Sequence, residues 1–445
     1  MYIFSLKKFS AFRHRSSLGV KNIHLLLLFF LVVSCGACKK TNTPSYSKFR
    51  IQHLDYIAII YVNSVKLSNG NYLTLDQDID FLHINLGEYD TASNLVFLKK
   101  HTYNSTRNIT SCIPFNDGFL ITGTTNSNGA YFATMFDANA NALWDSVYLP
   151  VGNNTNIYPV ACCKSTDGNI LLVASQQDHG SSQTKISPPF LVKISPQSGK
   201  VLSGPISING IDSSFECWVS NVYERPDGVY MSGFYFTWGI NSWAQGSMIC
   251  LKAQENGNVQ WFYSAPVPPA NTNLTGNPYI NAYNIAETGS GPIVLTGITN
   301  TQFSTASVYY FNNYWYPMIG NTLAYAFDPA SGNIVGSAIF DINNKTTYPI
   351  IHPANDGGFI IATTGNNFLN SFTVPTMVML IKTDARFNVQ WQKTFNSNGS
   401  NYIVLGVFPL NNGYEIVGQS NNIVNNKSSV GTFLMKTDLH GNLTD

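Results

Sequence analysis

The chain has 445 residues, room for two or three ordinary domains or one large domain built from repeats. Charged residues are 11% of it, less than half the usual share, and aromatic residues 13%. The formal charge is +1, but Lys7, Lys8, Arg13, Arg15 and Lys21 all fall in the first 34 residues, which hold no acid; beyond them 20 bases face 24 acids, a net charge of −4. That excludes the basic stripe of a nucleic-acid binder, and the apolar and aromatic content excludes a disordered chain.

The five bases precede Leu25–Val33, LLLLFFLVV, a run of nine apolar residues. Charge order and length read as a signal peptide over residues 1–34, too short for a membrane span. The stretch Val32-Val33-Ser34-Cys35 resembles the lipobox of bacterial lipoproteins, with an aliphatic residue three before the cysteine and a small one directly before it. The resemblance implies cleavage before Cys35, acylation of that residue, and stable anchoring by several acyl chains. Cys38 is a rival, but Cys35 then fits poorly at its minus-three place. Residues 35–47 continue as a small, polar, Pro-containing stretch, expected to be a flexible tether. Cys112, Cys162, Cys163, Cys217 and Cys250 match no zinc or redox spacing. Each lies in an apolar strand pattern and is expected to be a small buried hydrophobe; an exported chain leaves disulfides open.

From residue 48 onward one unit recurs. An Asp/Asn-Gly turn leads to a short apolar strand, then a variable loop and a second apolar strand. A turn of the form Asp-x-x-Gly/x-Asn leads to a last strand, often with Trp at its third position. The first-turn glycines are Gly70, Gly118, Gly168, Gly228, Gly291, Gly358 and Gly413, at separations of 48, 50, 60, 63, 67 and 55 residues. The strands after them read NYLTL, FLITG, NILLVA, VYMSG, PIVLTG, FIIAT and YEIVG. The third position of the last strand holds Phe97, Trp144, Ser203, Trp261, Gly336 and Trp391.

Glycine turns between short β-rich strands mean hairpins. With the apolar segment before each first turn, every unit is a four-stranded antiparallel sheet. Seven such sheets predict an all-β, seven-bladed β-propeller over residues 48–445. The seventh unit ends at Leu443-Thr444-Asp445 without an outermost strand. The unassigned segment Lys48–His53 is expected to supply it and close the ring, since an open ring leaves a bare sheet edge. The units resemble exported bacterial propeller repeats of the DGG…IKTD…GN…W kind, and DPASGNIV and SPQSGKVL resemble turns of quinoprotein-type propellers. Those turns shape the fold, and the resemblance implies no quinoprotein site.

In an antiparallel blade the short first and third turns share one face. The variable second loop and the blade crossover share the other, where binding is usually built. Two loops there are rich in aromatics: Trp238 and Trp243 in blade four; Tyr309, Tyr310, Tyr314, Trp315 and Tyr316 in blade five. Beside Asn and Ser, with little charge, they suit a sugar or a partner protein; packing on one another over the channel mouth is the other reading. Asp76, Asp78 and Asp80 are weak candidates for a hard cation, without the usual glycine and closing glutamate. Seven residues before each turn glycine stand Asn63, Ser111, Ala161, Asn221, Asn284, Ile351 and Gly406. Of these, Asn63, Ser111, Asn221 and Asn284 are expected to line a polar channel.

A sialidase-like site needs three converging arginines, and beyond the leader only Arg50, Arg107, Arg225 and Arg386 exist, two of them on the short-turn face. Nine of the 24 acids sit in short turns, and Asp178, Asp212 and Asp341 near the loop face show no pairing. No nucleophile motif or phosphate loop is present. The sequence therefore predicts a non-catalytic, membrane-anchored binding or scaffold propeller in the outer membrane, on either side of it. It predicts no cofactor, no metal beyond the weak acidic candidates and no nucleic acid, with a protein or glycan as partner. A carbohydrate-active enzyme or glycan binder with an unrecognised site, and a structural part of an envelope assembly, are the alternatives.

Overall fold

A computed structural model describes residues 49–444, apart from 55–57, 62–63, 79, 93, 126–128, 150–154, 179–184, 212–215, 239–243, 266–279, 287, 300–307, 312–313, 318–319, 341–344, 367–376, 397–400 and 425–426. Residues 1–48, including Cys35, lie outside it. The described residues form seven antiparallel blades and no helix. Blade 2 is typical: Arg107–Phe115 innermost, then Gly118–Thr125, Tyr131–Phe136 and Ala142–Tyr148 outermost. In blade 1 the inner strand is split into Ala58–Tyr61 and Val65–Lys66, both paired with Tyr72–Asp78. The expected closure is found. Phe49–Leu54 pairs with Lys427–Asp438 in register Phe49↔Met435 to Leu54↔Val430, as the outermost strand of blade 7.

The blades adhere through apolar faces. Between blades 2 and 3, Leu120, Met135, Ile170, Leu172 and Phe190 form one buried cluster. Between blades 6 and 7, Ile360, Leu380, Tyr414, Ile416 and Phe433 form another. This burial is the main stabilising term of the ring.

The repeating signature has a mechanical meaning. In the Asp-x-x-x-Asn turns the Asp side chain caps the turn: Asp384 Oδ1 accepts from Arg386 N at 2.8 Å and Asn388 N at 2.9 Å, and Oδ2 from Asn388 Nδ2 at 2.8 Å. The Asn388 side chain and then these amides hold the Asp384 carboxyl below its usual range. Asp137 and Asp438 repeat the arrangement. The recurring Trp joins neighbouring blades. Trp144, Trp261 and Trp391 donate their indole N–H to Pro196 O, Pro329 O and Leu439 O, in the outer turn of the next blade, at 2.8, 3.1 and 2.9 Å. Each ring covers the left-handed glycine of that turn: a Cβ on Gly199, Gly332 or Gly441 would lie 2.7 Å or closer to it. Where blade 5 has Gly336 instead of Trp, the turn of blade 6 carries Phe387 at φ 65°, and its ring fills the vacated space.

The first-turn glycines divide into two kinds. Gly70, Gly168 and Gly228 have φ of 86°, 84° and 147°. Gly118, Gly358 and Gly413 instead open the second strand against a carbonyl of the third, 2.0, 2.0 and 1.7 Å from where a Cβ would stand. In the fifth unit the left-handed residue is Gly289, not Gly291.

Candidate functional site

The inner strands run toward the short turns, so second loops and crossovers meet on the opposite face. The largest excursion there leaves Ile293–Thr299 and returns at Asn321–Phe327 in blade 5. It carries a two-stranded ribbon, Val308–Phe311 paired with Tyr314–Pro317. The register pairs Tyr309 with Tyr316, Tyr310 with Trp315 and Phe311 with Tyr314. Six of the eight ribbon positions are aromatic. Alternate positions of a ribbon fall on opposite faces, so both faces of this one carry aromatic positions. Trp238 ends the strand Gly228–Trp238 opposite Ala244, on the same side of the ring. The side chains of these ribbon residues and of Trp238, and the whole of Trp243, lie outside the described residues.

Of the three aspartates at alternate positions, Asp76 is buried to 1% exposure while Asp78 and Asp80 meet His83. Ligand atoms of Asp78, Asp80 and His83 lie within 4.8 Å of one another. Local partners already occupy them. Asp80 Oδ1 accepts from Leu82 N at 2.9 Å, its Oδ2 lies 2.5 Å from His83 Nδ1, Lys100 Nζ sits 2.8 Å from Asp78 Oδ2, and Asn85 Nδ2 donates to Asp78 Oδ1 at 2.8 Å. A lysine ammonium on the central carboxylate supplies the charge a cation would bring, so the trio closes a turn.

Among the polar residues of the inner strands, Asn284 and Ser111 reach the next blade and Asn221 bonds within its own. Asn284 Oδ1 accepts from Ile351 N of the next blade at 3.2 Å. Asn221 Nδ2 donates to Ser220 Oγ at 3.1 Å and Ser232 Oγ at 3.3 Å, and Ser111 Oγ lies 3.5 Å from Cys162 Sγ. Asn63 lies outside the described residues. The five cysteines are buried. Burial pushes the Cys162 thiol to about 11 and the Cys217 thiol to about 12, away from nucleophilic thiolate character.

Three charged clusters escape a reading by motif, because each joins different blades. Arg107 is 3% exposed, bonds Asp145 Oδ2 at 2.9 Å, and has its guanidinium carbon 5.0 and 4.6 Å from the Tyr103 and Phe132 ring centres. Burial keeps the neighbouring His101 below the ordinary imidazole range. On the short-turn face Lys193 Nζ bridges Asp167 at 2.9 Å and Glu255 at 2.7 Å. Burial, and then Glu255 beside it, raise the Glu224 carboxyl, which accepts from Thr166 N at 2.8 Å. The third is Glu415 against Tyr72, where blade 7 meets blade 1.

No protein-family model matches the chain, and no curated protein matches it in sequence. Solved structures do resemble it. An ulvan lyase, described as a new family of polysaccharide lyase, has TM-score 0.50 at 11% identity over 87% of this chain and 96% of that one. A protein of unknown function from Dyadobacter fermentans has TM-score 0.44 at 8% identity, over 88% and 100%. A protein from Lactobacillus plantarum has TM-score 0.45 at 9% identity, over 77% and 86%. At such identities the likeness is one of fold.

Proposed function

We propose that the chain is an exported lipoprotein whose propeller binds a partner through its long-loop face, without catalysis. The observation that carries this reading is the ribbon Val308–Pro317. A two-stranded ribbon on its own is marginally stable. One with aromatic positions on both faces offers aromatic surface for a partner to cover. Low charge around it suits a neutral polar surface such as a glycan. Exchanging 308–317 for a Gly/Ser stretch is expected to lower capture on a glycan array at least about tenfold, roughly one well-packed aromatic anchor's worth. The melting temperature should stay within about 2 °C. A large melting shift with capture unchanged would make the ribbon a plug, and cleavage of an arrayed glycan would make the protein an enzyme. Anchoring rests on the lipobox: Cys35→Ala should leave unacylated precursor by mass spectrometry, and lipid on Cys38 would move the site.

A further inference from the structure

The seven blade interfaces provide an internal comparison, because the same strand positions meet at each. Toward the next blade, the second strand presents Leu73, Leu120, Leu171, Tyr230, Val294 and Ile360 in blades 1 to 6, all buried. Blade 7 presents Glu415 there, with 0% exposure. On the receiving side, Ile121, Leu172, Met231, Leu295, Ile361 and Ile416 of blades 2 to 7 are matched in blade 1 by Thr74, 1% exposed. Six interfaces hold broad apolar clusters. The joint of blade 7 with blade 1 holds buried Tyr72, Val417 and Leu434, with Phe408 at its edge.

Polar groups fill the rest of that joint. The Tyr72 hydroxyl donates to Glu415 Oε2. Lys436 Nζ is 3.7 Å from Glu415 Oε1, and Lys66 Nζ is 5.4 Å from the Tyr72 ring centre. Both ends of the Gln419 amide have no hydrogen-bond partner among the described residues, and the buried Tyr89 hydroxyl has the Thr432 hydroxyl beside it. The three residues are 1%, 3% and 5% exposed. Buried groups of this kind weaken an interface relative to apolar side chains of similar volume, and local opening starts where apolar packing is thinnest.

We infer that the joint between blades 7 and 1 is the one at which the ring opens, with Glu415, held by Tyr72, as a pH-dependent latch. The groups facing Glu415 are Tyr72 and Lys66 from blade 1 and Lys436 from its own blade. Burial raises the Glu415 carboxyl against all three, so the folded joint holds that proton more tightly than the open chain. This stabilisation is complete below the ordinary carboxylate range and is lost as pH rises through the raised value. Opening therefore becomes easier as pH rises out of the ordinary carboxylate range.

The test is thiol labelling of the whole chain, read by peptide mass spectrometry. Val417→Cys places a thiol in this joint, and Val173→Cys places one at the matching position between blades 3 and 4; both valines are 0% exposed. The first thiol is expected to react at least about tenfold faster than the second, with a ratio that grows as pH rises upward from the ordinary carboxylate range, the intrinsic reactivity common to both thiols cancelling. Adding Glu415→Leu and Tyr72→Phe to each should bring the ratio toward one. A ratio at or below one in the otherwise natural chain overturns the inference, as does a ratio that the double change leaves alone. If the double variant does not fold, the ratio and its pH trend in the natural background decide.

Discussion

Removing Phe49–Leu54 is expected to destabilise the propeller more than any single substitution. Those six residues pair one to one with Val430–Met435, so their loss strips a whole ladder from blade 7 and leaves an unpaired edge. At about 1 kcal/mol net per ladder hydrogen bond the cost is roughly 5 kcal/mol before any side-chain burial is counted. The strand also ties blade 7 to blade 1 through the chain itself, across the joint with the smallest buried apolar cluster. Urea unfolding of residues 48–445 and 55–445 measures the effect. A peptide of residues 48–54 added in trans should restore part of the lost stability by occupying the vacant edge. Equal midpoints for the two chains would mean that ring closure does not depend on this strand.

Much of the fold was legible because its devices are local or strictly periodic. Glycine turns, the Asp-to-Asn spacing of four and the strand alternation each act within one hairpin, so seven copies could be aligned by eye and the missing strand located. The Trp of the last strand was visible as a repeat, but its partner was not, since Trp391 packs on Gly441 in another unit. The exchange of roles between Gly336 and Phe387 reads as two unrelated departures until the blades are set side by side. The polar joint was illegible for the same reason: Glu415 and Tyr72 are 343 residues apart, and no spacing connects them. The candidate site was legible as a face and as a list of aromatics. Which of them meet was not, apart from the ribbon, whose register follows from a hairpin. Burial separated Asp76 from the half-buried Asp78 and the exposed Asp80, a distinction that alternation along one strand does not supply.

Gly233→Ala is expected to be among the most damaging single methyl groups in the ring. The inner strand of blade 4 bulges between Val219 and Asn221, and the second strand passes beneath it with Gly233 opposite Val219. A Cβ there would stand 1.8 Å from the carbonyl oxygen of Trp218. No rotamer relieves this, because both atoms belong to backbone. Gly123 and Gly418 pass beneath the corresponding bulges of blades 2 and 7, with approaches of 2.0 and 2.2 Å. That is why glycine recurs within the second strands. Relieving the clash means flattening the bulge or parting the strands, at about 3 kcal/mol or more by the usual cost of overpacking, a fall of about 5 °C or more in melting temperature. Gly168→Ala is the matched control. Gly168 has φ of 84° with nothing within 4 Å of a Cβ, so only the left-handed backbone penalty of about 1 kcal/mol applies. Thermal melts of the two variants should therefore differ severalfold in their shifts. Similar shifts would mean that the inner bulge yields freely and that the recurring glycine answers to chain flexibility rather than to close approach.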